Sequence, residues 1–153
     1  MRFLYRITAI LAQKHGRMDP QNCRIIHFPK ATDQRGQLVF ADSNHLPFTP
    51  QRVFWISQVP PGQTRGGHAH ATCAEVVIAV RGSFDIWTDD GSGRADFHLS
   101  DPQQGLYIGG NVWCELSNFS PDALCLVMAS DDYHPEGYVN NYADFQANAN
   151  RSL

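Results

Sequence analysis

Two imidazoles one residue apart carry the densest chemistry in this chain. They are His68 and His70, in the segment Gly62-Gln63-Thr64-Arg65-Gly66-Gly67-His68-Ala69-His70-Ala71-Thr72-Cys73-Ala74-Glu75. On an extended strand, residues two apart project from one face, so both rings face a common pocket. Neutral imidazole takes up and releases a proton near neutral pH, which suits acid–base work. The same nitrogens also ligate metals. Two rings on one buried face need polar partners that a plain apolar core lacks. His27, His45, His98 and His134 stand apart from one another and read as structural or surface residues. Glu75 lies far enough along the chain for a bend in the strand to return a carboxylate to the same pocket.

The elements that must position these groups are short and extended. Runs with β character recur at roughly 8–12-residue intervals between turn formers, the pattern of a sandwich or barrel. The expected strands are 24–28, 37–41, 52–59, 75–80, 83–88, 94–99, 105–108, 112–117 and 123–130. Asp89-Asp90-Gly91-Ser92-Gly93 supplies glycines where a tight hairpin needs positive φ. Pro60-Pro61-Gly62, Arg81-Gly82 and Ser120-Pro121-Asp122 punctuate other strands. A helical period shows at the N-terminus and, weakly, over 138–147, with no βαβ units and no repeat. An all-β single domain follows.

At 153 residues the chain is long enough for one sizeable core and short for two. Its 42% hydrophobic and 18% charged residues, with 12 Gly and 9 Pro, describe a turn-rich folded protein rather than a disordered one. The net charge of −3 gives no field to attract a polyanion, which argues against nucleic-acid binding. Cys23, Cys73, Cys114 and Cys125 include no CxxC pair and read as reduced thiols of a cytoplasmic protein. No apolar run approaches the ~18 residues of a membrane span, so no membrane association is expected. Arg6 interrupts the N-terminal apolar stretch, and Lys14-His15-Gly16-Arg17 replaces a cleavage site, against a secretory signal. Residues 1–22 read as an extension, either an amphipathic helix or, with Met18 as an alternative start, partly untranslated; 23–148 form the domain and 149–153 a tail.

The histidine segment closes at Gly82 and is written G-x5-H-x-H-x4-E-x6-G, which resembles the first motif of the cupin superfamily, jelly-roll β-barrels or sandwiches with an internal site. In the second cupin motif, over 105–116, Cys114 takes the place usual for histidine. A thiolate there would complete an alternative zinc or iron set of His68, His70, Glu75 and Cys114, while a buried cysteine also serves as a small apolar filler.

Over 25–145 the chain resembles a narrower group, the cupin sugar 3,4-ketoisomerases acting on dTDP-4-keto-6-deoxyglucose and the WxcM-like domains related to them. The resemblance rests on Asp33-Gln34-Arg35-Gly36-Gln37-Leu38, Arg52-Val53-Phe54-Trp55-Ile56, Arg65-Gly66-Gly67-His68-Ala69-His70, Gly82-Ser83 with Asp89-Asp90-Gly91, Gly105-Leu106-Tyr107-Ile108 with Val112-Trp113, and Ala129-Ser130-Asp131-Asp132-Tyr133 leading to Tyr142-Ala143-Asp144-Phe145. It implies a metal-free, cofactor-free isomerisation of a dTDP-linked keto-deoxysugar, with His68 and His70 as catalytic acid and base. It further implies Arg35 and Arg65 on the diphosphate or the developing oxyanion, with Phe54, Tyr107, Trp113, Cys114 and Glu75 around the substrate, and a homodimer using strands near 24–41. Phe54 stands where relatives commonly have tyrosine, Cys114 where they have histidine and Glu75 where they have glutamine. Three readings follow: the isomerase, a metal-dependent cupin enzyme, and a non-catalytic sugar-nucleotide-binding cupin.

Overall fold

The computed structural model describes residues 22–149. The expected N-terminal extension, apart from Asn22, and the tail, apart from Ala149, lie outside the described residues. The strands are β1 (Cys23–His27), β2 (Lys30–Asp33), β3 (Gly36–Val39), β4 (Arg52–Ser57), β5 (Arg65–His70), β6 (Glu75–Arg81), β7 (Phe84–Asp89), β8 (Arg94–Leu99), β9 (Gln104–Ile108), β10 (Trp113–Ser117), β11 (Leu124–Ala129) and β12 (Tyr138–Val139). A 3-10 turn at Pro135–Gly137 precedes β12, and α1 (Tyr142–Ala149) follows it.

Period-two alternation decides where the side chains go. Along β7, Phe84 and Ile86 enter the main core with Leu99 of β8; along β10 and β11, Cys114, Leu116, Cys125 and Val127 do the same. These strands belong to two antiparallel sheets, ordered β1-β9-β6-β11-β4 and β12-β5-β10-β7-β8, which enclose that core between them. The sheets keep free edges, so the all-β expectation resolves as a sandwich rather than a closed barrel. Between β7 and β8 the expected hairpin forms: the Asp90 carboxylate accepts from the Ser92 and Gly93 N–H groups, and Gly91 takes φ +86°.

The first sheet is covered on its other face as well. Val76 and Ile78 point away from the main core into a second cluster with Phe28, which Val39, Leu46 and Phe48 flank. That two-sided burial explains the unbroken apolar run Val76-Val77-Ile78-Ala79 of β6. The second sheet is covered by α1, where Ala69, Trp113 and Phe145 form a third cluster.

Three elements depart from the strands expected. β2 pairs with β3 in a separate hairpin, where a single strand was expected over 37–41. The weak helical period over 138–147 divides: Tyr138–Val139 pair with β5, and the helix begins at Tyr142, where the Asn141 side chain accepts from the Asp144 N–H. β5 itself is hidden by its glycines. Its pairing with β10 runs Cys114 to His68 and then Glu115 to Gly66, so Gly67 is an extra, bulged residue immediately ahead of the histidines.

Gly66 has φ +76°, and a Cβ there would lie 2.9 Å from the Cys114 carbonyl oxygen, a backbone atom with no room to yield. Gly66→Ala is therefore expected to destabilise the fold by about 1–3 kcal/mol. Urea unfolding measures this; a midpoint equal to that of the unsubstituted protein would show that the bulge is not constrained at this residue.

Candidate active site

The two sheets approach each other at one end of the sandwich with polar side chains on their inner faces. β5 contributes His68 and His70 from the second sheet. Their ring centroids lie 4.9 Å apart at 81°, edge to face. Tyr138, opposite His70 in the β12–β5 pairing, packs its ring 4.9 Å from His68 and 4.4 Å from His70. The His70 carbonyl also accepts the Asn111 N–H, so the end of β5 is held on both sides.

The first sheet answers with charge. Glu75 opens β6 on the inner face, and its Oε1 lies 3.2 Å from His70 Nε2 and 3.8 Å from an Arg52 Nη2. Pairing aligns Glu75 with Ala129 of β11 and Ala129 with Arg52 of β4, so the three residues form one row across neighbouring strands. Strands about 4.8 Å apart place the outer two roughly 10 Å apart at the backbone, and the Ala129 methyl leaves the Arg52 side chain room to cross. Arg52 also lies over the rings of Phe54, at 5.2 Å, and Tyr133, at 5.6 Å. His70 Nε2 and Arg52 Nε are both buried and make no hydrogen bond within the fold.

Burial depresses the pKa of His68 below 6.5; the nearby charge of His70 acts in the same direction, and Glu75 and a backbone hydrogen bond at Gly66 oppose it. Burial therefore favours the uncharged ring. Cys114 lies opposite His68 in the sheet pairing but belongs to the main core, and burial drives its pKa far above that of a free thiol. It is an apolar filler in its protonated form. Cys23 and Cys125, raised by burial to about 12, share this state, and all four cysteines are free.

The structure thus brings together His68, His70 and Glu75, with Phe54 joined to them through Arg52. Among the described residues no three His, Cys, Asp or Glu side chains are placed to hold one metal ion, so the alternative set of His68, His70, Glu75 and Cys114 does not fit a metal site. Tyr107 and Trp113 do not join the pair. Tyr107 packs in the second cluster on the far face of its sheet, with the Arg24 guanidinium 4.3 Å from its ring centroid. Trp113 packs beneath α1 against Phe145 and Tyr142. Arg35 sits at the turn of the β2–β3 hairpin, its side chain 85% exposed and paired with Asp33. Arg65 is exposed and lines an open groove of about 510 Å³ with Trp55, Gln58 and Gln63.

Sequence reasoning did not single out Arg52, Tyr133 or Tyr138 as site residues. Arg52 was within reach, because alternation places it on the same strand face as Phe54. Tyr138 was not, since its segment carries a helical period.

A β-sandwich with paired imidazoles between its sheets defines a cupin-type protein. Residues 21–150 match the family described as "FdtA: WxcM-like, C-terminal". The chain belongs to that family. It is 36% identical over 124 residues, 80% of this chain and 89% of the other, to TDP-4-oxo-6-deoxy-alpha-D-glucose-3,4-oxoisomerase of Aneurinibacillus thermoaerophilus. Among solved structures it resembles the WlaRB TDP-quinovose 3,4-ketoisomerase of Campylobacter jejuni, at 40% identity and TM-score 0.79 over 83% of this chain and 98% of the other. It also resembles the QdtA sugar 3,4-ketoisomerase of Thermoanaerobacterium thermosaccharolyticum in complex with TDP, at 32% identity and TM-score 0.82 over 86% and 97%.

The position of His68 sets a pH signature. With its folded pKa below 6.5, the unfolded chain takes up the proton first as pH falls. The stability that the neutral ring contributes is present above about pH 6.5 and is lost as pH falls through the folded value. His68→Gln should flatten this part of the acid limb in a pH series of denaturant unfolding curves, and NMR should place the His68 midpoint below 6.5. A midpoint at or above that value would contradict the desolvated environment described.

Proposed function

We propose that this protein is a 3,4-ketoisomerase of a dTDP-linked 4-keto-6-deoxyhexose, working by histidine acid–base catalysis. The observation that carries this reading is the pair of edge-to-face imidazoles, 4.9 Å apart, in a pocket that also holds a carboxylate and a guanidinium. Family membership supports the substrate class. A related QdtA structure is described as a complex with TDP-4-keto-6-deoxyglucose.

The reaction balances within the sugar. A base removes the proton on C3, the electrons of that bond form an enediolate, and the charge rests on the C4 oxygen. Delivery of a proton to C4 moves the carbonyl to C3 as the C3 hydroxyl gives up its proton and the C4 oxygen takes one up, so that the product carries a hydroxyl on C4. One neutral imidazole takes the first proton and an imidazolium delivers the second. Arg52 lies within the same pocket as a cation for the developing oxyanion. Arg65 borders the groove beside β4 and β5, where a bidentate contact to a diphosphate fits its exposure. Tyr138 gives the pair a phenol ring where Phe54 offers none.

The proposed assembly is a homodimer in which residues near 24–41 contribute to the interface. Leu38 is 62% exposed and Phe40 44%, and Trp55 is 67% exposed on the first sheet, an apolar surface that a second copy would cover. No helix among the described residues is long and apolar enough to cross a membrane. A cytoplasmic place in the synthesis of surface polysaccharide or another glycoconjugate fits this reading.

Two measurements test it. Incubation with dTDP-4-keto-6-deoxyglucose in deuterated water, followed by NMR of the sugar, should give the 3-keto product; His70→Asn should lower turnover by about 10² or more with dTDP binding nearly intact. Arg65→Ala should weaken binding as well as rate. Equal turnover by His70→Asn would remove the acid–base role, and binding without turnover by the unsubstituted protein would establish a sugar-nucleotide-binding cupin instead. Light scattering at micromolar concentration should return twice the 17.1 kDa mass of one chain, and a single-chain mass would refute the dimer.

A further inference from the structure

The carboxylate beside His70 is more than a neighbour of the pair. Its oxygen Oε1 lies 3.2 Å from Nε2, and a carboxylate can only accept hydrogen bonds. The carboxylate lies off the hydrogen-bond axis of the ring, but at this separation its charge still acts on Nε2: a lone pair there would be repelled, and a proton there would be favoured. In a pocket where His70 is 9% and Glu75 7% exposed at the side chain, little solvent screens the difference. Nε2 is also the ring nitrogen closed off from solvent without a hydrogen bond, so the short separation from the carboxylate acts on it through charge alone.

Glu75 is held from the other side. Arg52 approaches the same oxygen, at 3.8 Å, by reaching across Ala129. Its guanidinium balances the buried negative charge and keeps the carboxylate on the inner face of β6. The rings that face His70 are His68 of the same strand and Tyr138 of β12, which meet it edge to face and leave Glu75 as the nearest full charge.

We infer that Glu75, anchored by Arg52 over Ala129, is a positioning residue that fixes the neutral His70 ring as its Nε2–H tautomer and leaves the Nδ1 lone pair as the basic nitrogen presented to the substrate. This deepens the isomerase reading and rests on it for the word substrate, while the tautomer itself belongs to the free protein. A carboxylate held against one ring nitrogen in this way sets which nitrogen of an imidazole does the chemistry.

The test is two-bond 1H–15N NMR correlation of the full chain, labelled at histidine nitrogen, at about pH 8, where a histidine of ordinary pKa is neutral. Assignment uses His70→Asn. The unsubstituted protein should show His70 as Nε2–H alone. Glu75→Ala should give a mixture of tautomers and lower kcat about tenfold or more with KM within about twofold, and Glu75→Gln, whose amide oxygen also accepts, should recover much of both. An Nδ1–H tautomer in the unsubstituted protein overturns the inference, and so does an unchanged tautomer in a folded Glu75→Ala. The first of these readouts stands even where the alanine variant does not fold. Glu75-dependent tautomers without turnover of dTDP-4-keto-6-deoxyglucose would retain the positioning role and reject the isomerase. Turnover with a tautomer indifferent to Glu75 would do the reverse.

Discussion

A carboxylate kept inside a β-sandwich is the constraint from which the site follows. Glu75 is 5% exposed, and an isolated buried charge of that kind is costly unless an opposite charge or hydrogen bonds compensate it. The fold supplies compensation from both walls: Arg52 along a row of its own sheet, His70 across the gap from the other. Neither partner can be chosen freely. Arg52 needs a small residue between itself and Glu75, which Ala129 provides, and His70 needs its strand held at the end where the sheets meet. The core below is ordinary by comparison, an interdigitation of Val77, Phe84, Leu106 and Val127 that no charge interrupts.

The polar end and the apolar core meet at Cys114. It lies opposite His68 on β10, yet its thiol is closed into the apolar cluster and stays protonated. A histidine at this position would bring a third imidazole toward the pair and a second titrating group into the pocket. With cysteine there, the two rings of β5 meet Glu75 with Arg52 on one side and the Tyr138 phenol on the other. The burden of setting protonation therefore shifts to the first sheet.

Much of this was legible in the sequence. The spacing of His68 and His70 placed both rings on one face, and turn residues at Asp89–Gly93 marked the hairpin that forms. The errors have a common physical origin. Period-two alternation says which residues share a face and is silent on which face is the inside. Both sheets here are covered on both sides, by the β2–β3 hairpin region on one and by α1 on the other, so the half-buried Tyr107 and the buried Trp113 lie on the wrong faces for the site. Tyr138 escaped for another reason: its segment reads as helical, and the two-residue strand it forms is too short to show a period of its own. Alternation with Phe54 put Arg52 on the right face, but its row partner two strands away is a property of topology rather than of local text.

The bulge at Gly67 shows how facing is counted along this chain. Without it, Gly67 would take the place opposite Cys114, and His68 would move opposite Trp113; every residue from there to His70 would change sides. Ala69 would then enter the sandwich, and two imidazoles would press against Phe145 beneath the helix. The histidine spacing would be untouched. The site therefore depends on the parity of the residue count between Arg65 and His68, an odd-or-even property that one left-handed glycine pair absorbs, and sequence insertions of a single residue in this short stretch would act as a switch between a reactive interior and a sterile one.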